Sequence, residues 1–285
     1  MENNQCPNCL NNKLEPFFEV KSVPVHSVLL MDTKKEAVEY TKRDIKLVFC
    51  PVCGFITNFV FDPSVHEYSA KYEETQGFSG TFNSFHKGLA EKLIAKHGLR
   101  NKTIIEIGCG KGDFLNLMCQ LGDNEGFGFD PAYIDERDSG GSDGKAKFIK
   151  DFYSEKYSHY KGDFVCCKMT LEHIPDTYRF VKMVRDSLQD NLETKVFFQI
   201  PDMEKILGEL GFWDIYYEHC SYFSIPSLAY LFEKAGFEIL DVGKDYDDQY
   251  LMIETKPALN VNIGKYDVPI GVEEIKSLVE YFKSN

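Results

Sequence analysis

The sequence predicts an α/β protein in which a small zinc-binding β module precedes a Rossmann-like, mostly parallel sheet. Three observations support this. Short apolar strands alternate with helical segments through the second and third quarters of the chain, which is typical of a parallel sheet covered by helices. One of those strands leads into the glycine-rich turn of EIGCGKGDFL. Two Cys-x-x-Cys pairs lie in the first 53 residues, and such paired motifs are typical of zinc sites.

The composition limits the class of protein. With 285 residues, 43% of them hydrophobic, the chain can bury one large domain and an appendage. The net charge of −13 argues against a nucleic-acid or membrane partner, because phosphate binding needs a basic surface. The first ten residues do not resemble a signal peptide and no run of 18 apolar residues occurs. We therefore expect a cytoplasmic protein with a small-molecule substrate.

Four of the nine cysteines form the two knuckles, Cys6 with Cys9 and Cys50 with Cys53. Four thiolates at this spacing predict a closed, tetrahedral and therefore structural zinc site. Binding of the ion would supply folding free energy to a segment with a thin core. The alternatives are two unrelated knuckles or a redox pair, but a redox pair normally opens a helix of a thioredoxin-like fold. The other cysteines lie in apolar segments and are expected to be buried packing residues.

The pattern along the chain divides it into four parts. Residues 1–62 form the zinc module, in which HSVLLMD and RDIKLVFC are expected to pair as a hairpin, and residues 63–80 form an aromatic arm. Residues 81–260 form the main domain, which begins with a helix from Thr81. Residues 261–285 form a C-terminal helix or the start of a further domain.

The main domain is expected to alternate strands and helices. Strands are expected at TIIEIGCG, GFGFDP, KFIKDF, DFVCCKMT and TKVFFQIP, with helices at KGDFLNLMCQLG and RFVKMVRDSL. Farther on, SLAYLFEKAGFEILDVG predicts a helix leading into a strand, and YLMIETK predicts one more strand.

The glycine-rich turn contains Gly108, Gly110 and Gly112 between a strand and a helix. Glycines let the backbone approach a ligand closely, and the helix N-terminus offers N–H donors. The spacing G-x-G-x-G differs from the dinucleotide fingerprint G-x-G-x-x-G. Taken alone, the turn fits either a dinucleotide site or a plain tight turn.

Acidic residues stand at the ends of three successive strands, namely Glu106, Asp130 and Asp151. Ligands of open α/β sheets bind outside the carboxyl ends of the strands, where an acid can hydrogen-bond ribose hydroxyls. Each acid alone could be a cap or a turn former. Together they favour a ligand that carries a nucleoside.

The motifs EIGCGKGDFL, GFGFDP, LEHIP and AGFEIL, in this order and spacing, resemble the class I S-adenosylmethionine-dependent methyltransferases. The resemblance implies a seven-stranded sheet whose last strand is antiparallel. It also implies a cofactor site in which Glu106, Gly108 and Gly110 surround the methionine part, Asp130 binds the ribose, Asp151 and Phe152 lie near adenine, and Met169 and Thr170 lie beside the sulfonium.

A narrower resemblance rests on the stretch YYEHCSYFS, residues 216–224. A Cys₄ module, an aromatic arm and a Y-x-E-H motif together resemble the C-methyltransferases that act on nucleotide-linked ketosugars. The resemblance implies His219 as general base, with Glu218 and Tyr216 beside it, and Tyr72 as the arm's tyrosine, although the arm departs from the family pattern. Members of that family continue into a second Rossmann-like domain. The chain is therefore expected to be a shortened relative or part of a longer protein.

The chemistry fits these residue types. Methylation of carbon requires removal of a proton next to a ketone, and histidine suits this role because its unperturbed pKa is about 6.5. A carboxylate can orient the ring, and a tyrosine hydroxyl can donate to the developing enolate oxygen. His173 in LEHIP is a competing base, while His86 on the first helix is expected to be structural.

Other interpretations remain open at this stage. The stretch could be an aromatic corner packed with Phe212, Trp213 and Phe223, with His219 bonded only to backbone. The enzyme could instead methylate oxygen or nitrogen of a sugar or other small molecule. The chain could also be a scaffold that binds S-adenosylmethionine without catalysis, an interpretation that the intact motifs disfavour.

Overall fold

The computed structural model describes residues 5–65, 76–134, 144–268 and 270–285. Four elements precede the main domain, in the order β1 (Glu15–Pro24), α1 (Lys34–Glu39), β2 (Lys42–Phe49) and β3 (Ile56–Asn58). The main domain and the C-terminal segment contain α2 (Gly80–His97), β4 (Thr103–Ile107), α3 (Asp113–Gly122), β5 (Glu125–Phe129), β6 (Ala146–Ile149), β7 (Phe164–Lys168), α4 (Thr177–Ser187), β8 (Lys195–Pro201), α5 (Met203–Gly208), β9 (Ser221–Tyr222), α6 (Ile225–Ala235), β10 (Phe237–Asp245), β11 (Tyr250–Pro257) and α7 (Val272–Ser284).

The large sheet has seven strands in the order β10-β11-β8-β7-β4-β5-β6. The five strands from β8 to β6 in that order are mutually parallel, whereas β11 runs antiparallel to both β8 and β10. A short turn joins β10 to β11, and short turns can connect only antiparallel strands. The predicted Rossmann-like sheet with an antiparallel last strand is confirmed.

The helix that leads into this sheet begins and ends at clear signals. The Ser79 side chain accepts a hydrogen bond from the Phe82 amide, and Gly98 ends α2 in the left-handed conformation. Leu89, Leu93 and Ile94 point into the core, because residues three and four apart share one face of a helix. The predicted start near Thr81 is therefore confirmed to within one residue.

The small sheet has the order β1-β2-β3-β9 and is antiparallel throughout. β2 pairs with β1 and β3 and not with HSVLLMD, so the expected hairpin was wrong. The side chains of that stretch instead contact residues much farther along the chain, as described below. The fourth strand, β9, is part of the stretch YYEHCSYFS and pairs with β3, with Ile56 opposite Tyr222 and Thr57 opposite Ser221.

Apolar packing joins the small sheet to the rest of the molecule. One cluster of buried residues contains Phe49 and Ile56 from the small sheet and Leu207 from α5. It also contains Tyr217 from the stretch YYEHCSYFS and Val279 from α7. Two other clusters fill the faces of the large sheet. No helix in the described ranges is long and apolar enough to cross a membrane.

Candidate active site

The carboxyl end of β4 passes into α3 through the glycine-rich turn. Gly108 has φ of +68°, and a Cβ placed on it would lie 2.1 Å from the Thr170 Oγ1 atom. Only glycine therefore lets this turn lie against the loop that follows β7. The close approach brings Gly108 and Thr170, both predicted site residues, to the same edge of the sheet.

Glu106, on β4, is 2% exposed, and its Oε2 atom has no hydrogen-bond partner among the described residues. Burial raises the pKa of this carboxyl to about 7, while the charge of Lys168 opposes the rise. A buried carboxylate oxygen without a donor is costly. Glu106 therefore presents an acceptor suited to a cationic group.

Asp130 follows β5 and faces the same turn. Its carboxylate accepts hydrogen bonds from the amides of Gly110, at 2.9 Å, and Ala132, at 2.7 Å. These bonds hold the carboxylate at the strand end while leaving other lone pairs of its oxygens for a ligand. The expected grouping of Glu106, Gly108, Gly110 and Asp130 at one edge is thus seen in the fold.

Asp151 and Phe152 lie after β6, at the far side of this edge. The Asp151 carboxylate accepts from the Tyr157 hydroxyl at 2.7 Å and from the Lys156 ammonium. The Phe152 side chain is 60% exposed. An exposed aromatic ring next to a polar strand end is a surface on which a flat heterocycle can stack.

Lys168, the last residue of β7, makes a contact that the sequence did not indicate. Its ammonium lies 2.9 Å from His86 Nε2 on α2 and 4.2 Å from the centre of the Phe114 ring. Burial lowers the pKa of His86 to about 3, so His86 is neutral and accepts this bond. Met169, which follows, has φ of +49° and donates its amide to the Gln199 carbonyl.

The stretch YYEHCSYFS carries a close pair of side chains. The Tyr216 hydroxyl lies 2.6 Å from Nε2 of His219. His219 is buried, and its Nδ1 atom has no hydrogen-bond partner in the described part of the chain. Burial lowers the pKa of His219 well below its usual value and raises that of Tyr216. Both side chains are therefore neutral near pH 7, as a resting base and its hydroxyl partner would be.

Glu218 does not lie where the sequence analysis expected it. Its carboxylate accepts from the Ser27 amide at 2.7 Å, from the Ser27 hydroxyl, and from His26 Nδ1 at 2.9 Å. It thus faces the N-terminal module and not the His219 ring. Tyr217 and Glu218 lie in a turn that the His219 amide closes by donating to the Tyr216 carbonyl at 3.2 Å. The Glu218 side chain leaves this turn toward His26 and Ser27.

The turn of residues 171–173 supplies the other neighbours of His219. The His173 ring lies 5.0 Å from the His219 ring, and His173 Nδ1 donates to the Glu218 carbonyl at 3.0 Å. A carboxylate oxygen of Glu172 and a ring nitrogen of each histidine all lie within 4.8 Å of one another. His173 was expected as a competing base, whereas no feature of the sequence singled out Glu172.

Backbone contacts on both sides hold the stretch in place. The Cys220 amide donates to the Glu172 carbonyl at 2.9 Å, which ties the stretch to the turn that follows β7. The Cys220 carbonyl accepts from the Thr57 hydroxyl at 2.8 Å and the Asn58 amide at 2.9 Å. The Tyr217 hydroxyl accepts from the Asp62 amide at 2.8 Å. Tyr72, the expected arm tyrosine, lies outside the described residues.

The four predicted metal-ligand cysteines meet in space. The sulfur of Cys6 lies 3.8 Å from that of Cys53, and the sulfur of Cys9 lies 3.5 Å from that of Cys50. A tetrahedral zinc ion with Zn–S bonds of about 2.3 Å holds its sulfurs about 3.8 Å apart. The donor set therefore fits zinc with all four positions filled by protein.

Comparison with known proteins defines the class. The strand order and the glycine-rich turn are those of an α/β domain that binds a nucleoside-bearing ligand at its strand ends. A family model described as a methyltransferase domain matches residues 82–242, more than half of the chain. The chain belongs to this methyltransferase family and has the class I S-adenosylmethionine-dependent fold.

Individual relatives are more distant. The chain is 27% identical over 245 residues to the C-methyltransferase NovU of Streptomyces niveus. The aligned region covers 84% of this chain and 57% of that protein. The chain thus spans a little over half the length of this relative. The PH0226 protein of Pyrococcus horikoshii shares the fold with a TM-score of 0.51 and 17% identity, over 64% of this chain and 94% of that one. A Nostoc punctiforme protein provisionally named an O-methyltransferase shares the fold with a TM-score of 0.50 and 16% identity, over 66% of this chain and 58% of that one.

The residues at this edge fit S-adenosylmethionine. Glu106 offers a buried oxygen without a donor, which suits a cationic ligand. The turn at Gly108 leaves no room for a side chain, so a ligand there meets backbone amides, and Asp130 can accept from ribose hydroxyls.

Proposed function

We propose that this chain uses S-adenosylmethionine to methylate a carbon atom of a nucleotide-linked ketosugar. The close pair of Tyr216 and His219 beside the cofactor edge is the observation that carries the proposal. The similarity to a named C-methyltransferase supports methylation at carbon. The sugar substrate is taken from the sequence resemblance, which combines the Cys₄ module with the Y-x-E-H motif.

In this proposal S-adenosylmethionine is bound and oriented by the cofactor edge, which is formed by Glu106, Gly108, Gly110 and Asp130 at the carboxyl ends of β4 and β5. S-adenosylmethionine supplies an electrophilic methyl group on a sulfonium. Glu106, Gly108 and Gly110 would hold the methionine part, and Asp130 would accept from the ribose hydroxyls. Asp151 and Phe152 would border the adenine, and Met169 and Thr170 would border the sulfonium. Lys168 and His86, paired behind Met169, keep that loop in place.

The proton leaves the substrate carbon through the Tyr216–His219 pair. His219 is buried while Tyr216 is partly exposed, so the substrate reaches the tyrosine hydroxyl first. As the C–H bond breaks, the Tyr216 oxygen takes the proton and its own proton moves to His219 Nε2. With S-adenosylmethionine bound, the electron pair left on carbon would take the methyl group, and the methyl–sulfur bond would break with its electrons left on the sulfur of S-adenosylhomocysteine. One proton is thus lost and one methyl group gained by the substrate.

The Cys₄ cluster has a structural part in this proposal. Zinc bound by Cys6, Cys9, Cys50 and Cys53 would stabilise the module that contains β3, and β3 pairs with β9 of the catalytic stretch. Asn8 braces the cluster by donating to Cys53 Sγ at 3.6 Å and to the Ser227 carbonyl at 2.9 Å. Because all four positions would be filled by sulfur, this ion would take no substrate.

Hydrogen exchange tests the site of methylation. The protein is incubated in D₂O with a 4-ketosugar nucleotide and with S-adenosylhomocysteine in place of the methyl donor. We expect deuterium at a carbon next to the ketone, detected by mass spectrometry and located by NMR. His219→Gln should abolish the exchange, while His159→Gln, at an exposed histidine, should leave it unchanged. A product methylated at oxygen, formed without exchange at carbon, would assign the enzyme to O-methylation.

A further inference from the structure

The buried carboxylate of Glu172 has no role in the scheme above. Its side chain is 1% exposed, and neither carboxylate oxygen has a hydrogen-bond partner among the described residues. A buried carboxylate without donors is costly, and proteins rarely keep one without a use. Glu172 lies in the turn that also carries His173, directly after the loop that contacts Gly108.

The groups around Glu172 point to a partner. An oxygen of its carboxylate lies within 4.8 Å of a ring nitrogen of His219 and of one of His173. His173 already donates through Nδ1 to the Glu218 carbonyl, and His219 already contacts Tyr216 through Nε2. Nδ1 of His219 is itself without a partner. The other titratable groups that interact with Glu172 are Cys167, Cys220, Tyr216 and Tyr250.

We propose that Glu172, and not Glu218, is the carboxylate that positions His219 for proton transfer. The proposal rests on the proposed function and deepens it. Glu218, the neighbour in sequence, is occupied by His26 and Ser27. Glu172, 47 positions away in the chain, is the carboxylate that the fold brings within 4.8 Å of a ring nitrogen of His219.

The proposed arrangement links three groups. Nδ1–H of His219 would donate to the Glu172 carboxylate, so that Nε2 would keep its lone pair toward the Tyr216 hydroxyl. When the tyrosine proton moves to Nε2, the ring becomes an imidazolium whose charge the Glu172 carboxylate stabilises. No covalent bond to Glu172 forms, and its own protonation does not change in this step. The same logic holds a catalytic imidazole in one tautomer in hydrolases.

The burial of Glu172 also changes the pKa of its carboxyl group. It raises the pKa of the carboxyl to about 8, so near neutral pH Glu172 is largely protonated, while burial keeps His219 neutral. Glu172 loses its proton as the pH rises through about 8, and above this pH His219 has a charged carboxylate beside it.

The tautomer of His219 tests the positioning role without relying on activity. In protein labelled with ¹⁵N-histidine, we expect NMR at pH 9 to show Nδ1 of His219 protonated, its resonance assigned by its absence from His219→Gln. Glu172→Gln should move the proton to Nε2 or leave a mixture. Glu233→Gln, at another buried glutamate far from the site, should leave the His219 tautomer as in the wild type. Protonation of Nε2 in the wild-type protein would overturn the proposal.

Kinetics provide the second measurement. We expect Glu172→Gln to lower kcat about a hundredfold with a change in KM of less than about threefold, and to remove the rise in rate near pH 8. An unchanged pH profile, or a loss confined to KM, would count against Glu172 as a positioning residue. Metal analysis guards against another explanation. A second divalent ion per chain that is lost in Glu172→Gln but kept in Glu233→Gln would make this carboxylate a metal ligand and overturn the proposal.

If no ketosugar is methylated or exchanged by the wild-type protein, the proposed function fails, while the tautomer measurement still decides the position of Glu172. Conversely, an active enzyme whose His219 tautomer ignores Glu172 retains the proposed function and loses only this inference. The two failures are therefore distinguishable.

Discussion

The two halves of the site are built in different ways. The cofactor edge is made by short-range order, since the glycine-rich turn directly joins β4 to α3 and Asp130 ends the adjacent strand. The proposed catalytic stretch, residues 216–224, has little regular structure of its own. Its shape comes from distant partners, including β3, the pair His26 and Ser27, and the turn at Glu172. We therefore expect the cofactor edge to survive changes in the N-terminal module that disable the catalytic stretch.

Loss of the cysteine cluster should give the largest difference between the two halves of the site. Structural zinc contributes apparent binding free energies of about 10–16 kcal/mol to folding, so Cys50→Ala should unfold the module and abolish methyl transfer. Binding of S-adenosylmethionine, measured by calorimetry, should change by less than about tenfold. Cys119→Ala, an equal truncation at a buried cysteine outside the cluster, should retain both methyl transfer and S-adenosylmethionine binding. Zinc content well below one per chain in the wild-type protein would contradict the prediction.

Loss of the base tests the catalytic stretch alone. His219→Gln should lower kcat by about 10²- to 10⁴-fold, the usual range for a general base. The dissociation constant of S-adenosylmethionine should stay within about threefold, because His219 belongs to the other half of the site. Tyr216→Phe should lower kcat at least as much as His219→Gln does, because the Tyr216 oxygen is the atom that takes the proton from the substrate. A full rate in His219→Gln, measured in single turnovers, would remove the base assignment.

A change at the glycine turn tests the opposite half. Gly108→Ala forces a side chain against Thr170 and a positive φ, which we expect to weaken S-adenosylmethionine binding by about 2–3 kcal/mol, or roughly 30- to 150-fold. The folding of the N-terminal module should not change. Gly88→Ala on α2, where a Cβ meets nothing within 4 Å, is the matched control and should be neutral or slightly stabilising. Calorimetry on both variants measures the difference.

The contact of Glu218 with the module gives the smallest expected effect. Burial raises the pKa of this carboxyl, but the hydrogen bonds from His26 and Ser27 outweigh it and leave the pKa below its usual value. The carboxylate therefore stabilises the fold above the unfolded pKa of about 4.3, and the stabilisation is lost as the pH falls through the lower folded value.

Glu218→Gln should accordingly cost about 1–3 kcal/mol in urea unfolding at pH 7, and the difference from wild type should shrink below about pH 4. Ser27→Ala with the double variant completes a cycle, in which the two losses should not add. A fully additive pair would mean that the Ser27 contact does not contribute.

The sequence was most informative where structure is local. The spacing of Glu106, Gly108 and Gly110 lies within one turn, and parallel strands deliver their ends to one edge, so the order of motifs predicted which residues meet there. The four cysteines were equally readable, because thiolates at this spacing have few structural uses besides a metal site.

The sequence was least informative about side-chain direction outside regular elements. Tyr216 and His219 were singled out by their chemistry and lie in contact. Glu218 was assigned by its position next to His219, yet its side chain turns toward the module. Nothing in the sequence linked Lys168 to His86, or Glu172 to His219, because each pair comes from separate elements of the main domain.

By itself, the sequence determined the α/β class, the parallel strands, the acids and glycines at their carboxyl ends, and the four cysteines, while the antiparallel last strand was implied only by the family resemblance. Periodic burial and short-range turns decide these features, and both can be read along the chain. Only the tertiary structure decided that β9 completes the sheet of the N-terminal module, that Glu218 belongs to His26 and Ser27, and that Glu172 faces His219. Contacts such as that of His26 with Glu218 span 192 positions, and packing across such distances, not local pattern, sets where each side chain points.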